Sequence, residues 1–282
     1  YINLIIFGII ADNTYLYLGT DNGILVYNYR TDKYEQPDTD FPTDVRTMVL
    51  QGDTLWIGSL NGLYTYQLKS RQLNHFDSKQ TGLPHNTIYS IIHTKDNQIY
   101  IGTYNGLCRY VQASGKFENI LLPVNRGGSN LFVNSLLEDA ARQCIWIGME
   151  GYLFQYNPTT GEMKAIEVFH NNSIKSLALD GDENLLAGTD NGLYVYQNDK
   201  EPLQHIIHDS RNIQSLTNNI IWNIFSDQEH NIWLGTDYGI SLSRYNSALQ
   251  FVPISQITGT GDGNQFYSLF RDSKGFYWLV TG

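Results

Sequence analysis

One pattern returns along the whole chain: an apolar run, a glycine, a tight polar reversal and a tyrosine. It reads LYLGTDNGILVY, LWIGSLNGLYTY, IYIGTYNGLCRY, IWIGMEGYLFQY, LLAGTDNGLYVY and IWLGTDYGISLSRY, with a last copy, YWLVTG, where the sequence stops. The glycines fall at Gly19, Gly58, Gly102, Gly148, Gly188 and Gly235, with Val280 in the seventh place, and the spacings run from 39 to 47 residues. A period of about 40–50 residues made of strand-like runs is the mark of a β-propeller. The runs are short, β-branched and aromatic, and are bounded by Gly, Asn and Asp, which favours strands over helices.

Each repeat keeps one order. A first strand such as TIYSII is followed by a polar turn with an acid (Asp96, Asp139, Asp227, Asp272) and then by the IWIG strand. Asn22-Gly23, Asn61-Gly62, Asn105-Gly106 and Asn191-Gly192 predict type I′ reversals, with positive φ at both central residues. A third strand ends in Tyr27, Tyr66, Tyr110, Tyr156, Tyr196 or Tyr245, and a weaker outer strand such as KFENIL closes the unit. A sheet of four strands cannot cover both of its faces, so it must stack on its neighbours. The column two places before the glycine is Tyr17, Trp56, Tyr100, Trp146, Leu186, Trp233 and Trp278. It is expected to fill the interfaces, each buried ring contributing about 2–3 kcal/mol.

The expected fold is therefore all-β: a seven-bladed propeller of four-stranded antiparallel blades, six complete and the seventh half present. Residues 1–282 form one propeller domain. The sequence begins without Met and stops within a repeat, so it reads as an excised part of a longer protein.

Composition narrows the function. There are 18 basic and 28 acidic residues, a net charge of −10, and no long basic run, which argues against nucleic acid as a partner. Two cysteines, Cys108 and Cys144, and scattered histidines give neither a disulfide framework nor a metal site. No cofactor is expected. YINLIIFGII is too short to cross a bilayer and aligns with the first strand of every later repeat, so no membrane segment is expected.

Aligned first strands show where recognition could lie. One column is apolar: Ile6, Val45, Ile88, Val133, Ile174, Ile221 and Phe266. Two places on, it is small or polar: Gly8, Thr47, Ser90, Ser135, Ser176, Asn223 and Ser268. The column between them mixes cations, amides and rings: Phe7, Arg46, Tyr89, Asn134, Lys175, Trp222 and Tyr267. A position that only packs should keep one character. This one is read as a ligand-binding channel mouth, with solvent-facing drift as the other reading. Cations there can hold a carboxylate or sulfate, the amide a hydroxyl, and the rings the flat face of a sugar. The long loops leading into these strands and the turns near them should rim the same mouth, offering Arg126, Arg211, Tyr104, Glu150, Asp190 and Tyr238.

TGLPHNTIYSIIHTKDNQIYIGTYNGLCRY and QSLTNNIIWNIFSDQEHNIWLGTDYGISLSRY resemble the two-component regulator propeller repeat, and the likeness extends over essentially the whole chain. It implies the periplasmic sensor portion of a hybrid two-component histidine kinase receptor that recognises oligosaccharide and regulates polysaccharide use. The implied partners are an oligosaccharide ligand, a second propeller and a β-sandwich of the same parent chain, and a homodimer in the full receptor. The resemblance carries no catalytic residue, and none of the kinase or DNA-binding machinery lies here. Two alternatives stay open. One is a structural or protein-binding propeller whose receptor binds ligand elsewhere. The other is a propeller glycosidase, for which Glu150, Asp190 and Asp237 would supply paired carboxylates.

Overall fold

The structure, a computed structural model, describes residues 4–35, 39–124, 131–166, 172–197, 200–245, 250–254, 266–272 and 275–281. Residues 200–203, 266–269 and 279–281 are described for their backbone alone. Six four-stranded sheets and one two-stranded sheet follow one another in chain order, each running through its strands in sequence. Their first strands are Ile6–Ala11, Val45–Gln51, Ile88–His93, Val133–Asp139, Ile174–Leu179, Ile221–Ser226 and Phe266–Arg271. Every registered pairing is antiparallel, as between Ile101 and both Ile91 and Cys108 in the third sheet. The seventh sheet pairs Phe266–Arg271 with Tyr277–Thr281. A four-residue helix, Ser78–Thr81, capped by the Asp77 side chain and closed by Gly82 at φ 84°, interrupts the strand pattern.

The chain divides into two compact units, Tyr1–Ile147 with Gln155–Lys164 and Gly148–Phe154 with Ala165–Gly282. In each, the core lies between consecutive sheets. In the first unit, Trp56, Leu63, Ile88, Ile91, Ile101 and Cys108 pack together from the second and third sheets. In the second, Leu186, Val195, Ile221, Ile224 and Leu234 do the same from the fifth and sixth. Sheets can close this tightly because of the glycine column. A Cβ on Gly19 would lie 2.6 Å from Val45 Cγ1, on Gly58 2.6 Å from Ile88 Cγ2, on Gly102 2.6 Å from Val133 Cγ1, and on Gly188 2.7 Å from Ile221 Cγ2. The apolar residue that opens each of these first strands, fully buried in all four, thus seats on the glycine of the sheet before it. The aromatic column fills the same seam. Trp56 meets Tyr110 of the next sheet at 4.8 Å between centroids, and Trp233 meets Tyr277 at 4.7 Å.

Three expectations are corrected. The pairings Thr20↔Gly23, Ser59↔Gly62, Thr103↔Gly106 and Thr189↔Gly192 make Asp21-Asn22 and its equivalents the central residues of the reversal. Positive φ falls on the glycine (103°, 138°, 117° and 94°), not on the asparagine, so the reversal is a tight turn closed by a glycine bulge instead of type I′. The buried Thr or Ser before it makes this geometry favourable: the Thr103 hydroxyl donates to Gly106 O at 2.9 Å and accepts from Asn105 N at 3.1 Å. Tyr245 lies two residues beyond its strand, Gly239–Ser243, and rests on His230 with ring centroids 5.1 Å apart. Asp96 does not hold the acid position of its repeat. Buried Thr94 stands there, donating to Asp96 at 2.5 Å.

Candidate functional site

The mixed column has a structural cause. Each of its members is the second residue of a first strand. At Phe7, Arg46, Tyr89, Lys175, Trp222 and Tyr267 the pairing register skips that residue, as between Val45/Thr47 and Ile221/Asn223. A bulge leaves its extra residue out of the ladder and re-aims the side chain. The apolar residue before it can then seat on the neighbouring glycine, and the small residue after it can tie successive first strands. Ser90 Oγ donates to Val133 O at 3.3 Å, and Ser176 Oγ accepts from Ile224 N at 3.0 Å. Only the bulged residue is released from both tasks. Phe7, Arg46, Tyr89, Asn134, Lys175 and Trp222 are all half-buried; the side chain of Tyr267 lies outside the described residues.

In the first unit, the Arg46 guanidinium lies 3.8 Å from the centroid of Phe7 and 3.9 Å from Asp44 Oδ1. A cation on a ring face is attracted by the ring quadrupole, so the pair fixes Arg46 without neutralising it. Burial pushes the Tyr89 phenol up, while the charge of Arg46 draws it down. Tyr89 lies 6.0 Å from Phe132, and Phe132 meets Tyr104 at 4.1 Å, edge-on at 74°. Tyr104, a rim residue, is tied to the start of its own sheet by its amide, which donates to Thr87 O at 2.9 Å. Asn134 is second in its strand like the others. Arg126 lies outside the described residues.

In the second unit, Lys175 Nζ lies 4.3 Å over the Trp222 ring, and the Trp222 indole donates to Asp237 Oδ1 at 3.1 Å. Bulge and rim turn of one sheet are thereby joined, since the Asp237 amide donates to Ile220 O at 3.0 Å. Asp190 Oδ1 accepts from the Ser173 amide at 3.0 Å, and Glu150 bridges to Ser173. Tyr238 is 52% exposed and lines a cavity of about 170 Å³ with His208, Ile213 and Thr217. Arg211 is paired instead with Asp209 at 3.1 Å, next to it in the same loop. The structure therefore joins Lys175, Trp222 and Asp237 in one unit; in the other it joins Phe7 to Arg46, and Tyr89 to Tyr104 through Phe132. It leaves Arg211 engaged within its own loop.

Sequence reasoning missed Phe132 and His85, whose ring lies 5.0 Å from Tyr104. Both fall outside the aligned strand columns. The nearest signal was that Phe132 directly follows the long loop that carries Arg126; nothing marked the TGLPHN entry of His85 as rim. A cavity of about 450 Å³ lined by Arg142, Cys144, Gln155 and Lys164 also lies outside those columns. Cys144 is buried and accepts from Gln155 Nε2 at 3.5 Å; Cys108 is buried too, and burial pushes its thiol up. Among the described residues no group of three or more His, Cys, Asp or Glu could hold a metal ion, and no helix is long and apolar enough to cross a membrane.

Residues 82–105 and 215–238 match the two component regulator propeller family. Over 97% of its length the chain is 80% identical to the extracellular domain of the "putative hybrid two component system BT4673" from B. thetaiotaomicron, with a TM-score of 0.84. The corresponding domain of BT3049 from the same organism shares the fold at 16% identity, with 98% of this chain covered and a TM-score of 0.73. Histidine kinase P4 of Formosa agariphila is 27% identical over 307 residues, 95% of this chain. The chain spans 37% and 38% of the two structures and 21% of the kinase. With its four-stranded antiparallel sheets as blades, the chain has an all-β propeller fold.

Proposed function

Because the chain carries two-component regulator propeller repeats, we propose that it is the ligand-sensing propeller of a hybrid two-component receptor, held in the periplasm, and that it recognises oligosaccharide. It is taken as one propeller domain, with the two-stranded seventh sheet as half a blade. A second propeller and a β-sandwich of the same parent chain are its partners, and a homodimer is the signalling form. The bound oligosaccharide reports polysaccharide outside the cell and switches on its use. Sensing of this kind shifts a two-state equilibrium of the receptor, which requires that ligand bind one state more tightly than the other.

The observation that carries the reading is the bulge column. Seven equivalent second-strand places, six of them skipped by the pairing register, carry Phe, Arg, Tyr, Asn, Lys, Trp and Tyr. Rings for the flat face of a sugar and donors for its hydroxyls are what saccharide sites combine. The carboxylates of Asp190 and Asp237 are already engaged by the Ser173 amide and the Trp222 indole.

Calorimetry of this chain against a panel of polysaccharide fragments tests the proposal. Saturable binding by a fragment, without its cleavage, is the expected result. Binding by the longer receptor but by no fragment of the panel to this chain would transfer recognition elsewhere and leave a structural propeller.

A further inference from the structure

The residues leading into two of the first strands form a constant frame with one free place. In LPHN and LTNN, Leu83 and Leu216 are buried. Asn86 and Asn219 fasten the loops: Asn86 Oδ1 accepts from the Ser78 amide at 2.8 Å, and Asn219 Oδ1 accepts from the His208 amide at 2.6 Å. The residue just before, His85 or Asn218, accepts the amide two places on, at 3.0 Å from Thr87 and 2.8 Å from Ile220. Packing thus explains the Leu and the Asn, and the local turn needs only an acceptor between them. Histidine brings something more. With Nδ1 accepting, the proton of the neutral imidazole sits on Nε2, which becomes a donor.

That imidazole belongs to a run of rings gathered from three loops and one bulge. His85 lies 5.0 Å from Tyr104, Tyr104 lies 4.1 Å from Phe132, and Phe132 lies 6.0 Å from Tyr89. All four are half-buried, and none belongs to the apolar core between the second and third sheets. Edge-on contact fixes the rings against one another. Two phenol hydroxyls and one imidazole N–H punctuate the apolar faces. A protein partner is matched by continuous apolar surface, whereas a pyranose offers one C–H face and an edge of hydroxyls. The nearby cation, Arg46, is occupied by Phe7 and Asp44.

We propose that His85, Tyr89, Tyr104 and Phe132 form a subsite for one neutral pyranose unit, which rests on the reading above that the chain binds oligosaccharide. The sugar lies against the Tyr104–Phe132 rings, and His85 Nε2–H donates to one of its hydroxyls.

An array of neutral oligosaccharides from plant and microbial polysaccharides is presented to the 282-residue chain, and the strongest binder is titrated calorimetrically. Phe132→Ala and Tyr104→Ala are expected to weaken it about tenfold each. His85→Ala should weaken it less, and Leu121→Ala, at a side chain 89% exposed, should leave it unchanged. Tyr104→Phe keeps the ring and retains most of the affinity, which separates a lost contact from a lost fold. If the three alanine variants at His85, Tyr104 and Phe132 bind as tightly as the parent while Arg46→Ala does not, the subsite is overturned and the glycan reading stands. If no oligosaccharide of the array binds, both fall.

Discussion

The indole of Trp146 donates to Asp139 Oδ2 at 3.0 Å, and both side chains are fully buried. The same bond joins Trp233 to Asp227 and Trp278 to Asp272, at 2.9 Å in each. Where Leu186 replaces the tryptophan, Asp180 Oδ2 takes the Asn184 amide at 2.9 Å instead. In the fourth, sixth and seventh sheets an acid in the turn and a tryptophan on the second strand are therefore one device at the end away from the bulge. Trp146→Phe keeps most of the packing and leaves a buried carboxylate short of a donor. A loss of about 2 kcal/mol is expected in urea unfolding.

These acids also set the response to pH. Burial pushes the Asp139 carboxyl up, but hydrogen bonds from Trp146 and Arg142, and the Arg142 charge, outweigh it and hold the group below its ordinary range. Asp227 is held low in the same way, against its burial, by Trp233, Asn231 and Tyr277. A depressed folded-state value stabilises the protein above the unfolded carboxyl value of about 3.9. That contribution is lost as pH falls through the lower folded values. The urea midpoint is expected to hold steady from neutrality to about pH 5 and to fall below it, and Asp139→Asn should flatten that fall.

The glycine column predicts a contrast between two alanine substitutions. Gly102 has Ser90 Oγ and Val133 Cγ1 within 2.6 Å of where a Cβ would stand, and its backbone neighbour Val133 O at 2.8 Å. Gly8 has nothing nearer than 3.4 Å. Gly102→Ala should destabilise by about 1–3 kcal/mol through overpacking, and Gly8→Ala by much less. Thermal melting of the two variants side by side reads the difference.

Much of this was legible because packing repeats. The period, the glycines, the aromatic column and the polar turns all answer to one seam between sheets, so each returned in most of the repeats. The bulge itself was not legible. A strand with alternating burial and a strand with one skipped residue differ in hydrogen-bond register, which leaves no trace in residue type. What could be read was its consequence, a column of mixed chemistry from Phe7 to Tyr267. Asn-Gly suits two turns, and the buried Thr20, Thr103 and Thr189 hydroxyls decide between them. Tyr245 and Asp96 stand two residues beyond the repeat positions that Ser243 and Thr94 hold, so residue type alone points past them. Phe132 and His85 stand just before the first strands, at places whose residue type in the other repeats does not mark them as a site.

If the bulged residues recognise ligand, removing two of their side chains must weaken binding more than it weakens the fold. Titration of the chain with an oligosaccharide that it binds, repeated on the double variant Arg46→Ala with Trp222→Ala, tests it most directly. Affinity weakened by at least about tenfold is expected, with the melting temperature almost unchanged. Equal affinity in parent and double variant would contradict it.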